Sequence, residues 1–359
     1  MSGIPQALDA IPILGVIFQF LGYTLANIGY ISQTTVAVAI PITLAALAGV
    51  MCERSGVVNI GLEGIMLTAA FVGWIVGVAA SGMFGVGTPS PFFGATLPLM
   101  IGLVAAVLAG MLVSLLHAWL AISMRIDQII SGTIVNIGAA GITGYLYNLI
   151  SSQSPVGAGK FAPFVVPKAA ADLPVVGWLI NAVLGQGPIG ITTIVIVIAL
   201  QVMLFRSRWG LRTRASGEHP RAAETVGIDV IRLRYRNVVM SGAFAALGGA
   251  WLSMEQTNNF SANMTAGRGF IGLAAMIVGR WTPLGAFGAA LLFASATGLS
   301  TSLQIAPPNG DLGQLMAHVP GEFWEALPYI ITIVILAGLI GRSIAPAADG
   351  QPYERESAT

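Results

Sequence analysis

The sequence predicts an all-α, polytopic integral membrane protein with about ten transmembrane helices. Hydrophobic residues make up 55% of its 359 residues and charged residues only 9%, whereas an ordinary soluble domain carries about 25% charged residues. The chain holds 45 glycines, which suit membrane helices because small residues let helix backbones approach closely. Apolar stretches that approach the roughly 20 residues of a bilayer crossing recur along almost the whole sequence.

These apolar stretches give ten candidate spans. Five precede a long loop at 151–188, namely 11–30, 36–51, 60–80, 95–122 and 129–150, and five follow it, at 189–205, 238–254, 269–279, 284–303 and 327–340. With ten spans both termini are cytoplasmic, and Arg54, Arg125, Arg280 and Arg342 lie on the cytoplasmic side, as the positive-inside rule requires. The long loop at 151–188, which carries Lys160 and Lys168, then lies on the outer side, a mild violation of that rule. Eight or nine spans are the alternatives, and one missing span would move several arginines to the outer side.

Residues 206–236 form one long polar loop inside this apolar chain. The loop holds eight of the sixteen basic residues, all arginines, which indicates a cytoplasmic position. Pro220 suits the first turn of a helix and Gly227 suits an end, so the pattern predicts a short helix at 220–228. A short helix on a cytoplasmic loop is a natural docking element for a soluble partner.

Several classes of function are excluded by the residues. No phosphate-binding loop of the G-x-x-x-x-G-K-[ST] kind occurs, so we expect no ATP hydrolysis by this chain. Cys52 is the single cysteine and the three histidines are far apart, so neither a disulfide nor a metal site is predicted. We expect no cofactor and, at a net charge of +1, no nucleic-acid partner. No cleavable signal peptide is expected, because the first ten residues lack a positive region.

Two segments in the two halves of the chain share an Ile-Gly-Leu core at the start of a span. They are VVNIGLEGIM at 57–66 and GFIGLAAMIV at 269–278. Paired, glycine-interrupted segments of this kind are typical of transporters built from inverted repeats. We therefore treat an inverted repeat as a possibility.

Polar residues inside the predicted spans are candidates for the translocation path, and they are Asn59, Glu63, Ser131 and Asn136. A carboxylate in a membrane helix is costly unless it faces a cavity or a partner. The alternatives are a cytoplasmic-end hydrogen bond for Glu63 and helix-to-helix hydrogen bonds for the others. Four polar residues follow the seventh span on the predicted outer face, and they either receive solute or belong to a solvated loop: Glu255, Gln256, Asn258 and Asn259.

Three segments resemble signatures of one permease group. ERSGVVNIGLEGIML at 53–67, ASGEHPRAAETVGID at 215–229 and GRGFIGLAAMIVGRWTPLGA at 267–286 resemble the branched-chain-amino-acid/sugar type of bacterial ABC importer permease, within its nucleoside and simple-sugar branch. The resemblance implies a permease of the cytoplasmic membrane that pairs with a second permease, expected to be a different chain. It also implies an ABC ATPase subunit and an extracytoplasmic solute-binding protein as partners, and lipid as the surrounding medium.

The same resemblance implies which residues couple the permease to its ATPase. They are Gly217, Glu218, Arg221, Ala222, Ala223, Glu224, Gly227 and Asp229. Small alanines let a short helix enter a groove, and the charged residues can pair at its rim. The alternative is a basic loop that only faces lipid headgroups.

We therefore expect a transmembrane permease domain at 1–342, which includes the cytoplasmic coupling loop at 206–236, and a disordered tail at 343–359. The predicted function is passage of nucleosides or simple sugars by alternating access. A branched-chain amino acid permease is the nearest alternative. An ion-driven secondary transporter would need more intramembrane Asp, Glu or His residues, and a membrane-embedded enzyme would need a catalytic cluster that the sequence lacks.

Overall fold

The computed structural model describes residues 12–151, 158–174, 176–310, 312–314, 318–320, 322–324, 326, 330, 333–334 and 343–354. Every regular element in these ranges is helical. The helices are α1 Pro12–Ala26, α2 Ile28–Glu53, α3 Leu62–Phe84, α4 Leu97–Ala118, α5 Gln128–Ser151, α6 Lys168–Ala171, α7 Gly177–Leu184, α8 Pro188–Arg206, α9 Arg208–Glu218, α10 Pro220–Thr225, α11 Val230–Ala250, α12 Arg268–Val278 and α13 Pro283–Ile305. Two π-helical turns, Trp119–Ser123 and Trp251–Gln256, prolong α4 and α11.

The predicted all-α membrane fold is confirmed. Seven helices of the described part are long and apolar enough to cross a membrane, namely α2, α3, α4 with its π turn, α5, α8, α11 with its π turn, and α13. Two shorter apolar helices, Gly15–Ala26 and Arg268–Val278, coincide with two further predicted spans. The tenth predicted span, 327–340, lies almost wholly outside the described residues.

Two helices extend well beyond their apolar stretches. The sequence predicts spans from residues 36 and 238, whereas α2 begins at Ile28 and α11 at Val230. The start of α11 is fixed by Asp229, whose side chain accepts a hydrogen bond from the backbone N–H of Arg232 at 3.0 Å, an ordinary N-cap. Polar residues therefore continue these helices past the apolar region on which the boundaries were based.

The described chain divides into two compact units. One lies within Met1–Ala39, Val165–Gly185 and Leu291–Ile340. In this unit Tyr23 Oη lies 2.8 Å from Ser302 Oγ, and a Cβ on Gly298 would lie 2.5 Å from Thr35 Oγ1. Glycine thus allows α13 to pack closely on α2 within the unit.

The second unit lies within Ile40–Phe164, Gln186–Ala290 and Gly341–Thr359, and its centre is built from α3, α4 and α11. A Cβ on Gly110 of α4 would lie 2.5 Å from the Cβ of Ala246 and 2.7 Å from the carbonyl oxygen of Gly242, both on α11. A Cβ on Gly249 would lie 2.0 Å from the carbonyl oxygen of Met66 on α3. These glycines let the three backbones touch, as small residues do between membrane helices.

Candidate translocation pathway and coupling surface

The chain between α2 and α3, residues 54–61, is not helical, although it lies inside the second unit. Irregular backbone at membrane depth must find hydrogen-bond partners inside the protein. Asn136 on α5 supplies two of them: its Nδ2 donates to the carbonyl oxygen of Ile60 at 3.0 Å, and its Oδ1 accepts from the N–H of Gly64 at 2.7 Å. Asn59 Oδ1 accepts from the N–H of Gly61 at 3.0 Å.

Side chains of α4 and α5 hold the first part of the same stretch. Gln128 Oε1 accepts from the N–H of Val58 at 2.7 Å, and His117 Nε2 lies 3.0 Å from the carbonyl oxygen of Val58. Because a carbonyl can only accept, Nε2 carries the proton. His117 Nδ1, 3.0 Å from Ser131 Oγ, then accepts from that hydroxyl in the neutral ring. Four side chains thus replace the hydrogen-bond ladder that a helix would have provided.

Glu63 joins the two segments with the shared Ile-Gly-Leu core. Its Oε1 accepts from the N–H of Gly267 at 2.8 Å and its Oε2 from the N–H of Gly269 at 2.6 Å. These N–H groups form the N-terminus of α12, where partial positive charge favours a carboxylate. A Cβ on Gly269 would lie 2.7 Å from the Cα of Glu63, so this close contact requires glycine. The cytoplasmic-end hydrogen bond considered for Glu63 is not the one that the structure shows.

Helix lengths place Glu63 near the middle of the bilayer. Gly110 is the midpoint of the segment Leu97–Ser123, whose 27 residues rise about 40 Å, more than the roughly 30 Å hydrocarbon core. A Cβ on Gly110 would lie 3.3 Å from Ile65 Cγ2, so the first turn of α3 lies at this depth. The 11 residues of α12 rise only about 16 Å, half of the core. Two helix N-termini therefore meet at mid-membrane on one carboxylate.

The C-terminal end of α12 meets the cytoplasmic end of α2. Trp281 Nε1 donates to Glu53 Oε2 at 2.5 Å, and Arg54 Nε donates to the carbonyl oxygen of Trp281 at 2.8 Å. Arg280 and Trp281 have positive φ angles of 54° and 52°, uncommon for non-glycine residues. The turn after α12 is thus held against the turn after α2.

Glu255, near the outer end of α11, binds the N-terminus of a helix as Glu63 does. Its two carboxylate oxygens accept from the N–H groups of Ile189 at 2.8 Å and Gly190 at 3.2 Å, at the start of α8. A Cβ on Gly187 would lie 2.4 Å from Glu255 Cδ. The solvated-loop interpretation of Glu255 is therefore wrong in this structure, because both oxygens bind a helix terminus.

The predicted coupling segment begins on α9, which packs on the turn at 54–56. Ser216 Oγ donates to the carbonyl oxygen of Ser55 at 3.2 Å. A Cβ on buried Gly217 would lie 2.5 Å from the carbonyl oxygen of Arg54, so any larger residue would separate the two segments. The coupling segment thereby contacts the stretch that leads to Glu63.

The short helix predicted at 220–228 forms α10, Pro220–Thr225. The chain leaves it through Gly227, whose φ of 85° favours glycine. Ala223 is buried against Val230 and Tyr353, whereas Arg221 and Ala222 are exposed. The eight coupling residues therefore lie on α9, on α10 and in the connection to α11, and their contact with an ATPase stays a prediction.

Residues 343–354, within the tail that the sequence predicts to be disordered, pack on the coupling segment. Ala348 donates its backbone N–H to the carbonyl oxygen of Gly217 at 2.8 Å, and Ala347 donates its N–H to Glu218 Oε2 at 3.2 Å. Tyr353 Oη donates a short hydrogen bond to Glu224 Oε2. A groove of about 740 Å³ lies between α10 and this segment. Residues 355–359 lie outside the described residues.

Arg234 on α11 lies buried behind these contacts, with 2% of its surface exposed. Its Nε donates to the carbonyl oxygen of Ser55 and its Nη1 to that of Gln351, each at 3.0 Å. Burial raises the pKa of the nearby Asp349 to about 6; a hydrogen bond with Glu53 and the positive charge of Arg234 oppose that rise. One arginine therefore ties the turn at 54–56 to the C-terminal segment.

Sequence reasoning missed three of these residues. Arg234 is one of eight arginines in its loop, and Gln128 and His117 lie near helix ends, where polar residues are ordinary. Their partners are backbone N–H and carbonyl groups, which every residue has, so the sequence does not show which ones are bound. Among the described residues, no group of three or more His, Cys, Asp or Glu side chains could hold a metal ion.

A multi-span helical bundle in which two helix N-termini meet at mid-membrane is typical of membrane transport proteins. The family model "Branched-chain amino acid transport system / permease component" matches residues 31–336. The chain belongs to this family. It is therefore a multi-pass protein of the bacterial cytoplasmic membrane and a transport subunit of an ABC transporter, as the sequence predicted.

Three relatives illustrate the similarity. The chain is 39% identical to the Guanosine ABC transporter permease protein NupQ of Bacillus subtilis over 325 residues, 90% of this chain and 96% of that protein. It is 37% identical to the Nucleoside ABC transporter permease protein NupC of Lactococcus lactis, over 87% of this chain and 93% of that protein. It is 30% identical to the Putative glucose ABC transporter permease protein TsgC13 of Haloferax volcanii, over 90% and 97%. No solved structure gives a significant match.

Proposed function

We propose that this permease imports nucleosides by alternating access. ATP is hydrolysed by an ABC ATPase partner, and solute arrives from an extracytoplasmic binding protein. The two relatives named for guanosine and nucleosides are 39% and 37% identical to the chain over most of its length, which supports this substrate class. A second, different permease chain completes the pathway in this proposal.

The observation that carries the coupling proposal is the contact between α9 and the turn at 54–56. A Cβ on Gly217 would lie 2.5 Å from the carbonyl oxygen of Arg54, so a displacement of α9 must displace that turn. The turn continues into the stretch 57–61 and then into Glu63 at mid-membrane. Docking of an ATPase on α9 and α10 would thus act on the middle of the pathway through continuous contacts.

We propose that Glu63 lines the pathway and that Asn59, Ser131 and Asn136 act on it indirectly. Glu63 is only partly buried, although both its oxygens accept hydrogen bonds. Asn59, Ser131 and Asn136 hydrogen-bond to the backbone of the stretch or to His117, which supports a role in fixing the shape of the pathway. Selection of the solute then rests largely with the binding protein.

Simple sugars are the second candidate class. The relative named as a putative glucose permease is 30% identical to the chain over 90% of its length, which supports them. A branched-chain amino acid is the solute class in the family's description, and it enters the test as a third possibility.

The test is uptake in proteoliposomes that hold the permease, its neighbouring ATPase and second permease, with the binding protein added. Labelled adenosine, guanosine, ribose, galactose and leucine are compared. Ala222→Arg adds bulk to the exposed face of α10, and Ala169→Arg is the matched control on an exposed alanine of α6 in the predicted outer loop. Glu224→Arg, which also removes the partner of Tyr353, is a second variant.

We expect ATP-dependent uptake of adenosine and guanosine that is lost in Ala222→Arg, although this variant is recovered in the membrane in normal amount. Ala169→Arg should transport like the parent. Uptake of leucine alone would contradict the proposed substrate class. Uptake without the ATPase would contradict the ABC mechanism, and normal coupling in both α10 variants would contradict the proposed docking site.

A further inference from the structure

The segment 257–267, which joins α11 to α12, enters the membrane from outside. The helical segment Val230–Gln256 contains 27 residues and rises about 40 Å, enough to cross the whole bilayer core. The next helix, α12, rises only about 16 Å to its cytoplasmic end at Val278. Its first residues therefore lie at mid-depth, and the connecting segment must descend through the outer half of the membrane.

The exposed face of this segment is polar. Thr257, Asn259, Ser261 and Asn263 are exposed in this subunit. Non-helical backbone is tolerated at membrane depth only where protein buries it or where it lines a water-filled cavity. The Thr257 hydroxyl and Asn259 Oδ1 are hydrogen-bonded within the segment. Lipid would offer no hydrogen bond to the exposed Nδ2 groups of Asn259 and Asn263, so we place this face toward the pathway.

The segment is held in a strained conformation at both ends. Asn258, Asn263 and Ala266 have positive φ angles of 61°, 56° and 46°; alanine in particular rarely adopts such values. At its inner end, the N–H of Gly267 is bound by Glu63. Near its outer end, the side chain of Phe260 is completely buried. Strain of this kind persists only where surrounding contacts impose it, and it is frequent at functional sites.

Phe260 occupies an aromatic slot, defined by Phe71 and Trp74 on α3 and Tyr147 on α5. The ring centroid of Phe260 lies 5.2 Å from that of Phe71, 5.3 Å from that of Tyr147 and 6.1 Å from that of Trp74, which is stacked on it at 28°. The three surrounding rings stand on long helices, and only Phe260 stands on the connecting segment. Withdrawal of this segment would leave a space for one aromatic ring lined by three others.

We propose that this aromatic slot is a solute subsite on the outer half of the pathway, in which a nucleobase takes the place of Phe260. A planar base can stack on Trp74 and meet the edges of the other two rings, as bases do on aromatic side chains. The amides of Asn258 and Asn259 beside it can hydrogen-bond to the edge of a base. The subsite rests on the proposed function, because it requires a solute with an aromatic ring.

The test follows the accessibility of position 260. In a Cys52→Ala background, Phe260→Cys is reacted with a membrane-impermeant maleimide from outside the proteoliposomes. The complex is examined at rest and with ATP, vanadate and binding protein. Phe161→Cys is the matched control, because Phe161 is also buried (2% exposed) in a segment on the outer side. Guanosine and ribose are added separately as probes.

We expect Phe260→Cys to react slowly in one state and at least about fivefold faster in another, whereas Phe161→Cys reacts slowly in both. Guanosine should suppress the fast reaction and ribose should not. Trp74→Leu should raise the guanosine concentration needed for this protection about 5- to 150-fold, since stacking of one base contributes an affinity factor of that size. Trp251→Leu, at a buried tryptophan outside the slot, should leave that concentration unchanged.

Two results would overturn the subsite while leaving the proposed function intact. One is a position 260 that reacts no faster than position 161 in any state, although the parent complex imports nucleosides. The other is equal protection by guanosine and ribose. Failure of the parent complex to import any nucleoside would contradict the proposed function itself, and with it the nucleobase as ligand of the slot.

Discussion

Replacement of Glu63 by alanine should destabilise the protein more than loss of an ordinary helix cap. Glu63 binds two backbone N–H groups at the start of α12, at 2.8 and 2.6 Å. Asp127 also binds two backbone N–H groups, at 2.9 and 3.0 Å, at the start of α5, but it is exposed. Asp127 caps its own helix through one oxygen, whereas Glu63 binds a helix distant in the sequence through both oxygens. Asp127→Ala is therefore the control for loss of an ordinary exposed carboxylate cap.

The magnitudes follow from the hydrogen bonds. A hydrogen bond to a charged group contributes about 1.5–3 kcal/mol, so Glu63→Ala should lower the free energy of unfolding by about 3–6 kcal/mol. Glu63 is only partly exposed, so water can replace its carboxylate less completely than at the surface. At the exposed start of α5, water can replace Asp127, and loss of such a cap costs about 1 kcal/mol. Glu63→Gln keeps one acceptor oxygen and should fall between the two.

The assay is reversible unfolding of the purified chain in mixed detergent micelles, followed by far-UV circular dichroism. Parent, Glu63→Ala, Glu63→Gln and Asp127→Ala are compared at the same micelle composition. The reasoning would be refuted if Glu63→Ala lost no more stability than Asp127→Ala. It would also be refuted if Glu63→Gln were as damaging as Glu63→Ala, because the retained acceptor would then contribute nothing.

Three further predictions use the same preparation. Gly110→Val, which forces α4 from α11, should cost about 1–3 kcal/mol, whereas Gly138→Val, with no atom within 4 Å of its Cβ, should cost much less in the same unfolding assay. Asn136→Leu leaves two backbone groups at mid-membrane without partners and should cost about 2–6 kcal/mol; a loss below 1 kcal/mol would contradict this role. Burial raises the pKa of Asp349 to about 6, so the folded protein holds this proton more tightly than the unfolded chain does. The contribution of Asp349 to the docking of residues 343–354 is therefore fully present below about pH 4 and lost as the pH rises through 6. Limited proteolysis of this segment should thus accelerate between pH 5 and 7.5. Asp349→Asn should weaken that dependence, and the carboxyl of Glu53, the hydrogen-bond partner of Asp349, accounts for what remains.

The membrane fold was predictable because apolar length is a strong signal. Each of the seven long helices overlaps one predicted apolar stretch over most of its length. The predicted helix boundaries were less accurate, and they were wrong where helices continue through polar residues. At the start of α11 three arginines lie within the first two turns, and Arg234 among them is buried rather than solvated. Composition alone assigns Arg234 to a loop. Its partners are the carbonyl oxygens of Ser55 and Gln351, which come close to it only in the folded protein.

The mid-membrane site was predictable only in part. Glu63 and Asn136 could be singled out because polar side chains are costly in a span. Their partners could not, because they are the backbone groups of Gly64, Gly267 and Gly269, and backbone groups carry no sequence signal. The packing of Tyr353 on Ala223 could not be predicted from the sequence for a different reason. Residues 343–354 have the composition of a polar tail, and their ordered conformation depends on contacts with the coupling segment.

The hydrogen bonds of the stretch 57–61 are compatible with a conformational change during transport. Its hydrogen bonds go mostly to side chains, those of Gln128, His117 and Asn136, and not to the next turn of a helix. Each of these side chains can exchange one partner for another by a rotamer change, whereas a shift within an α-helix would break several backbone bonds together. A displacement that enters at Gly217 can therefore pass through the stretch without unfolding α3. At its far end Glu63 accepts hydrogen bonds from two N–H groups at the start of α12. We therefore expect movement of the stretch to displace the strained segment in front of the aromatic slot.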